Sequence, residues 1–319
     1  MSGALRIKVH ARDGLAVAVE IDSPRVDPSA VFIGRTPEEA AVLASRLFSL
    51  CPSAQSIATR AATGLPSQPN ETLALLCEKL TELLRASLLD WPGAAPAPDD
   101  IATLRDALSL LRRAPDAAAL RDALARLAPF FACQHAEAAE DDDAMRLSPR
   151  RADFLTPDDD VLVIDALWSD RTFCRAPALP GRRVETGIAA RRGLAHGGLA
   201  ARVAARQAEM LDAVAAMTNL CDGGAAPDLV SRGAGYAAVD SARGRLYHAC
   251  KLDASGRISD YRMVAPTEWN FHPDGPFARL IAGARIGEGA DAKRRVERLA
   301  FAFDPCIKAE AEILELAHA

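Results

Sequence analysis

Residues Tyr236–Val264 read YAAVDSARGRLYHACKLDASGRISDYRMV. Three short apolar-rich runs, Tyr236–Asp240, Leu246–Leu252 and Ile258–Val264, are parted by turn formers. The turn Asp253-Ala254-Ser255-Gly256 joins the last two. This stretch predicts strands of a small antiparallel sheet. It decides the class because almost everything around it has helical spacing. The expected class is α+β, mostly helical, with small antiparallel β elements.

Upstream, residues 193–222 predict one long helix ended by Gly223-Gly224. Residues 70–90 predict another, rich in leucine, followed by a Pro/Ala linker from Trp91 to Pro98. Within 99–131 the run Leu104-Arg105-Asp106-Ala107-Leu108 recurs as Leu120-Arg121-Asp122-Ala123-Leu124, with a break at Pro115, which predicts a helical hairpin. The acidic run Glu140-Asp141-Asp142-Asp143 reads as an exposed loop, or a dock for a basic partner. Leu5 to Ile21 alternates around Asp13-Gly14, a β-hairpin signature. Thr36, Pro37 and Glu39 form a capping box that opens a helix running to about Leu50. Pro52 breaks that helix, and a second starts near Ser53 and stops at Gly64, which leaves Cys51 at the junction. Downstream, a helix over 291–302 precedes Asp304-Pro305-Cys306, and a last helix carries the chain to its end. The organisation expected is a single domain over 1–319. It comprises a hairpin and cysteine-helix region (1–65), a helical middle (66–230) and a C-terminal part with the strands and the Asp-Pro-Cys element (231–319).

Composition excludes several classes. The 319 residues carry 38 basic and 43 acidic side chains, a net charge of -5, which argues against a protein that tracks nucleic-acid phosphates. The pairs Arg182-Arg183, Arg191-Arg192 and Arg294-Arg295 read as solvated faces or partner contacts. Seven widely spaced cysteines contain no C-x-x-C pair, so neither a zinc ribbon nor a thioredoxin motif is expected. Their odd number fits a reduced compartment. With no leader pattern and no apolar run of membrane-spanning length, a cytoplasmic protein with no membrane association is expected.

Four separated segments carry the chemistry: Leu5–Val9 with its hairpin; Arg46-Leu47-Phe48-Ser49-Leu50-Cys51; Ala242-Arg243-Gly244 through His248 with Val264-Ala265-Pro266-Thr267-Glu268-Trp269-Asn270; and Phe303-Asp304-Pro305-Cys306. Read alone, each residue has an ordinary explanation. A cysteine at a helix junction is a small buried hydrophobe. Arg243 is a loop arginine in a salt bridge, and Thr267 a strand-end residue with a local backbone bond. His248 is a packed histidine, Trp269 and Phe271 core or pocket wall, and Cys133-Gln134-His135 incidental.

In order, the four segments resemble the nickel–iron hydrogenase large subunit: its opening strands, its R-x-C-G-x-C element, its A-P-R-G…H and V-P-[ST]-x-W-N elements, and its D-P-C-x-x-C element. The match covers about half the chain, and the middle matches only loosely. In that family two C-x-x-C pairs hold nickel, and the second cysteine of each also bridges to iron. Here Phe48 replaces the first cysteine of the N-terminal pair and Cys51 remains; Cys306 remains in the C-terminal pair and Ala309 takes the second place. The family's early Glu-Gly-His element falls on Ser2-Gly3-Ala4, and the histidine after its N-terminal pair falls on Gln55. Its processed C-terminal histidine has no clear counterpart, and His318 reads as incidental.

The resemblance is nearest to the HupK/HoxV-type hydrogenase expression and formation proteins, degenerate large-subunit relatives. It implies a shortened large-subunit-like fold and no enzymatic activity. It implies an Fe(CN)2(CO) fragment held transiently by Cys51 and Cys306, with Arg243 and Thr267 bonding the cyanides, and no nickel. Implied partners are the hydrogenase large-subunit precursor and the hydrogenase maturation chaperones, but no nucleic acid and no membrane. Two rivals stay open: a metal-free assembly chaperone that mimics the large subunit, and a residual hydrogenase-like or complex I-like redox subunit.

Overall fold

The computed structural model describes residues 3–23, 27–93, 96–113, 116–132, 135–147, 153–194 and 197–317. Pro115, Cys133, Gln134, His318 and Ser2 of the Ser2-Gly3-Ala4 segment lie outside the described residues. Strands β1 (Leu5–Arg12) and β2 (Leu15–Asp22) form the expected hairpin. Asp13 and Gly14 at its tip have φ of 53° and 73°, as an Asp-Gly turn of the hairpin type requires. Leu5, Ile7, Val9 and Ala11 point one way and are wholly buried.

Helix α1 (Pro37–Leu47) carries the predicted capping box, with Thr36 Oγ1 accepting from Glu39 N and Glu39 Oε2 accepting from Thr36 N. It stops three residues short of the expected Leu50. Pro52 does not merely interrupt it: proline's fixed φ suits a first helical turn, and Pro52 opens α2 (Pro52–Ala62) with Cys51 as the N-cap. Helix α3 (Glu71–Leu88) and the hairpin α4 (Pro98–Arg113) and α5 (Ala117–Leu127) follow, and Trp91 in the connecting segment is buried.

The acidic run is not an exposed loop. It lies in α6 (Glu137–Met145), with Glu140 and Asp143 exposed and Asp141 and Asp142 turned to partners. Asp141 is buried between Arg295 (3.3 Å) and Arg298 (3.0 Å). Asp142 accepts from the N–H groups of Leu199 (2.7 Å) and Ala200 (2.8 Å) at the start of a later helix, where unpaired donors and the helix dipole favour a carboxylate. In each arginine pair, too, at least one member is tied to carboxylates of the chain itself. Arg182 bonds Asp153 and Asp159, Arg191 bonds Glu209 and Asp240, and Arg295 faces Asp141.

The two-residue strands β3 (Asp153–Phe154) and β4 (Val184–Glu185) pair in parallel on either side of α7 (Asp160–Ser169). Short α8 (Ile188–Arg192) precedes α9 (Leu199–Cys221), the predicted long helix. The antiparallel sheet then runs β5 (Val230–Gly233), β6 (Tyr236–Ser241), β7 (Gly244–Leu252) and β8 (Ile258–Val264), with β5 an unpredicted edge strand. Helices α10 (Pro266–Asn270), α11 (Pro276–Ile281) and α12 (Gly289–Ala302) follow.

The last described element is a strand and not the expected helix. Strand β9 (Ala309–Glu315) adds to β1 in parallel, Leu5 against Ala309 through Ala11 against Glu315. Ala, Glu and Leu favour a helix locally. The alternation Ala-Glu-Ala-Glu also suits a strand, and β1 offers an open edge, so tertiary pairing overrides propensity. One apolar core packs this three-stranded sheet against α11 and α12, joining the two ends of the chain. Among the described residues no helix is long and apolar enough to cross a membrane.

Candidate functional site

The four residues singled out by sequence line one cleft of about 520 Å³, although Cys51 and Cys306 lie far apart in the chain. Cys51 caps α2, Arg243 sits in the turn between β6 and β7, Thr267 lies in the first turn of α10, and Cys306 follows the turn after α12. Thr267 is therefore helical and not a strand-end residue, because Pro266 suits a first helical position. Phe48, Leu47, Ala265 and Ile307 complete an apolar wall.

Each side chain is held from behind. Thr267 Oγ1 donates to Cys306 Sγ (3.1 Å) and accepts from Cys306 N (3.1 Å). Its one proton is thus directed at sulfur, where the sequence reading had it free for a bound ligand. Asp304, two residues earlier, takes a positive φ of 57°, and its carboxylate faces Arg206 at 3.5 Å. Buried Asn270 fastens this turn to the sheet side. Its amide nitrogen donates to the carbonyls of Phe303 (3.3 Å) and Thr186 (3.1 Å), and its oxygen accepts from Thr186 N (3.0 Å).

Arg243 is 6% exposed. Its Nη2 donates to Glu82 Oε2 at 2.8 Å. Among the described residues its Nε and Nη1 find no hydrogen-bond partner, and both are shielded from water. Burial works against the guanidinium charge, but Asp304, Glu82 and Cys306 outweigh it and hold the pKa above its ordinary value. The backbone beneath is tight: a Cβ on Gly187 would stand 2.5 Å from the Arg243 carbonyl oxygen, and Gly187 has φ of 99°. Only glycine allows that approach.

Burial pushes the Cys51 thiol up to about 12, against the opposing hydrogen bond from Gln55, so the free thiol is neutral at pH 7. Gln55 Nε2 lies 3.5 Å from Cys51 Sγ. Behind it, wholly buried His248 bonds Gln55 Oε1 through Nε2 (2.8 Å) and the Tyr261 hydroxyl at Nδ1 (2.6 Å). His248 is a packed histidine, and burial lowers its pKa to about 3. Glu78 accepts from Ser53 N (2.6 Å) and Ala54 N (3.1 Å) at the start of α2, and burial raises its pKa to about 7 despite those bonds. Trp269 and Phe271 belong to the core.

Glu78, Glu82, Thr186, Gly187 and the anchoring role of Asn270 escaped the sequence reading. The two glutamates carry a signal in hindsight: they stand four apart inside the apolar run Leu75–Leu84, where a carboxylate needs a partner. Thr186-Gly187 carries none.

Chemically, the cleft presents two sulfurs and a hydroxyl, with the Arg243 guanidinium in its wall. Among the described residues no group of three or more His, Cys, Asp or Glu side chains gathers as a metal cage. The donor set suits an iron that arrives with ligands of its own: soft sulfur for the metal, and N–H donors for the anionic ends of those ligands.

Comparison with known proteins bears on the family and the fold. Residues 186–310 match the nickel-dependent hydrogenase family model. A hydrogenase expression/formation protein HupK of Rhizobium leguminosarum bv. viciae is 36% identical over 368 aligned positions, covering 100% of this chain and 98% of the relative. The hydrogenase expression/formation protein HoxV of Cupriavidus necator is 30% identical, covering 88% of this chain and 89% of its own. In three dimensions the chain is similar to the nickel–iron–selenium hydrogenase of Desulfomicrobium baculatum in its reduced, active form. The TM-score is 0.63 at 14% identity, over 94% of this chain and 96% of the other, and supports the expected shortened large-subunit-like fold. The fold is that of hydrogenase large subunits, and the full-length relatedness places this chain in the HupK/HoxV family of hydrogenase expression/formation proteins.

Proposed function

We propose that this protein is a non-enzymatic scaffold of nickel–iron hydrogenase maturation, which holds an Fe(CN)2(CO) fragment between Cys51 and Cys306 and passes it to the large-subunit precursor. The observation that carries the reading is the meeting in one cleft of two cysteines and a buried arginine, two of whose nitrogens are unpaired among the described residues. A buried donor left without an acceptor costs about 1–3 kcal/mol. A cyanide nitrogen is an acceptor of the right charge, and the fragment with two thiolates carries about two negative charges that Arg243 partly offsets. Thr267 would steady the Cys306 sulfur in its single-donor geometry, and bond the second cyanide only by turning its hydroxyl.

Two thiolates in place of four leave no nickel site, and hydrogen chemistry is not expected of the chain. Incomplete coordination leaves open positions on the iron, which favours release and transfer. A cytoplasmic site of action beside the precursor and the maturation chaperones fits that role. Infrared spectra of protein prepared without oxygen from cells making the maturation proteins test it. Cyanide and carbonyl bands are expected, and both Cys51→Ala and Cys306→Ala should lose them. A band-free spectrum from such a preparation replaces the cradle with a metal-free chaperone.

A further inference from the structure

Behind Cys51 a row of buried polar groups runs from the sheet to the cleft. Thr59 Oγ1 on α2 lies 2.8 Å from the Tyr261 hydroxyl, Tyr261 lies 2.6 Å from His248 Nδ1, and His248 Nε2 lies 2.8 Å from Gln55 Oε1. Gln55 Nε2 closes the row at 3.5 Å from Cys51 Sγ. Thr59, Tyr261, His248 and Gln55 are all buried.

Counting protons gives the row a direction. With the amide nitrogen of Gln55 toward sulfur, its oxygen faces the imidazole and can only accept. His248 then carries its proton on Nε2. Nδ1 is bare and takes the Tyr261 O–H at 2.6 Å; the Thr59 hydroxyl, 3.2 Å from Nδ1 and 2.8 Å from the phenol oxygen, gives its proton to the nearer phenol. The Gln55 main-chain carbonyl, which the Thr59 hydroxyl also approaches at 2.9 Å, already has a helical N–H four residues on, so it does not need that proton. Each hydrogen bond polarises the next, and all four point at Cys51.

We propose that Gln55 is a positioning residue for Cys51: a carboxamide locked by His248, keeping one N–H on the sulfur. It rests in part on the cradle reading, since its consequence concerns the iron. An N–H on sulfur draws electron density from it, making Cys51 a weaker donor to a bound metal and occupying a lone pair that a second metal would need. A carboxamide does not titrate, and neutral His248 does not change charge near pH 7, so the donor is constant. The row thus favours one iron on Cys51 over a sulfur shared between two metals.

The first test needs no metal. In nitrogen-15 NMR of the full metal-free chain, with the His248 signal assigned by its loss in His248→Phe, the proton should sit on Nε2. A proton on Nδ1 would overturn the proposal, because Gln55 would then turn its oxygen to the sulfur. The second test uses the iron-loaded chain. Gln55→Met keeps the volume and removes the donor, so more density reaches iron and the carbonyl stretch should move to lower wavenumber; an unmoved band counts against the role. If the unsubstituted chain shows no iron bands at all, the cradle fails while the tautomer still decides the orientation of Gln55.

Discussion

Asn270→Leu should damage both stability and the site, in amounts set by three hydrogen bonds. Asn270 is buried, and leucine of similar size leaves Thr186 N, Thr186 O and Phe303 O without their partner. Each buried group left unpaired costs about 1–3 kcal/mol. The Phe303 bond is the longest of the three, and loop relaxation and the extra apolar burial recover part of the loss, so the net expected is about 3 kcal/mol. Urea unfolding followed by tryptophan fluorescence reads this directly, since buried Trp269 is the neighbouring residue. The midpoint should fall with little change in slope. Asn270→Asp keeps the acceptor for Thr186 N but sets a carboxylate against two carbonyls, so it should be at least as damaging at pH 7 and milder in acid. Freed of its tie to Phe303, the following turn should also let iodoacetamide reach Cys306 severalfold faster, with buried Cys77 as the internal control. A loss below about 1 kcal/mol for Asn270→Leu would mean that Asn270 is not what fastens the Cys306 turn to the 186 loop.

Two further tests concern charge. His248, with its folded pKa lowered to about 3 by burial, must take up a proton on unfolding below its ordinary value of 6.5. Its contribution is therefore complete above pH 6.5 and is lost as pH falls toward 3, a matter of a few kcal/mol. Glu78 runs the other way: raised by burial from 4.5 to about 7, it stabilises the fold below pH 4.5 and loses that as pH rises to 7. Urea midpoints across pH 4 to 7 should accordingly rise more steeply with pH in Glu78→Gln than in the unsubstituted chain; an unchanged slope contradicts the assignment. Within α6, Asp141→Ala strands two arginines and should cost about 3–5 kcal/mol. Asp142→Ala removes only a helix cap and should cost about 1 kcal/mol, and equal losses in a thermal melt would refute this division of labour.

Local chemistry was legible wherever it decides itself. Asp13-Gly14, the Thr36 capping box and the turn at 253–256 fold as their residues dictate, and the order of motifs pointed to the hydrogenase-like fold. What failed was non-local. Ala309–Glu315 reads as helix until β1 is available to pair with it, and Glu140–Asp143 reads as a solvated loop until Arg295, Arg298 and the start of α9 are brought to it. The site divides in the same way. Cys51, Arg243, Thr267 and Cys306 could be named from motifs, but the parts that hold them could not. Glu82 on Arg243, Thr186 under Asn270 and Gln55 on Cys51 are contacts between distant segments, and no local spacing announces them.

The cleft also separates two reasons for expecting no nickel. Either too few sulfurs are present, or the Phe48 ring fills the space. Phe48 lines the cleft with Cys51 but packs on the core that holds Phe32 and Tyr261, so its ring belongs as much to the core as to the cavity. Ni(II) is a borderline ion that accepts thiolates, and each further thiolate in reach adds a bond to it. Phe48→Cys adds a third sulfur and removes the ring; Phe48→Ala removes the ring alone. If sulfur count decides, only Phe48→Cys should strengthen Ni(II) binding, by at least about tenfold, or ~1.4 kcal/mol. Growth of the sulfur-to-nickel absorption band during titration of the reduced chain measures it. Equal gains in the two variants would show that the ring excludes the metal. That outcome would make Phe48 an active barrier against nickel, not the trace of a lost ligand.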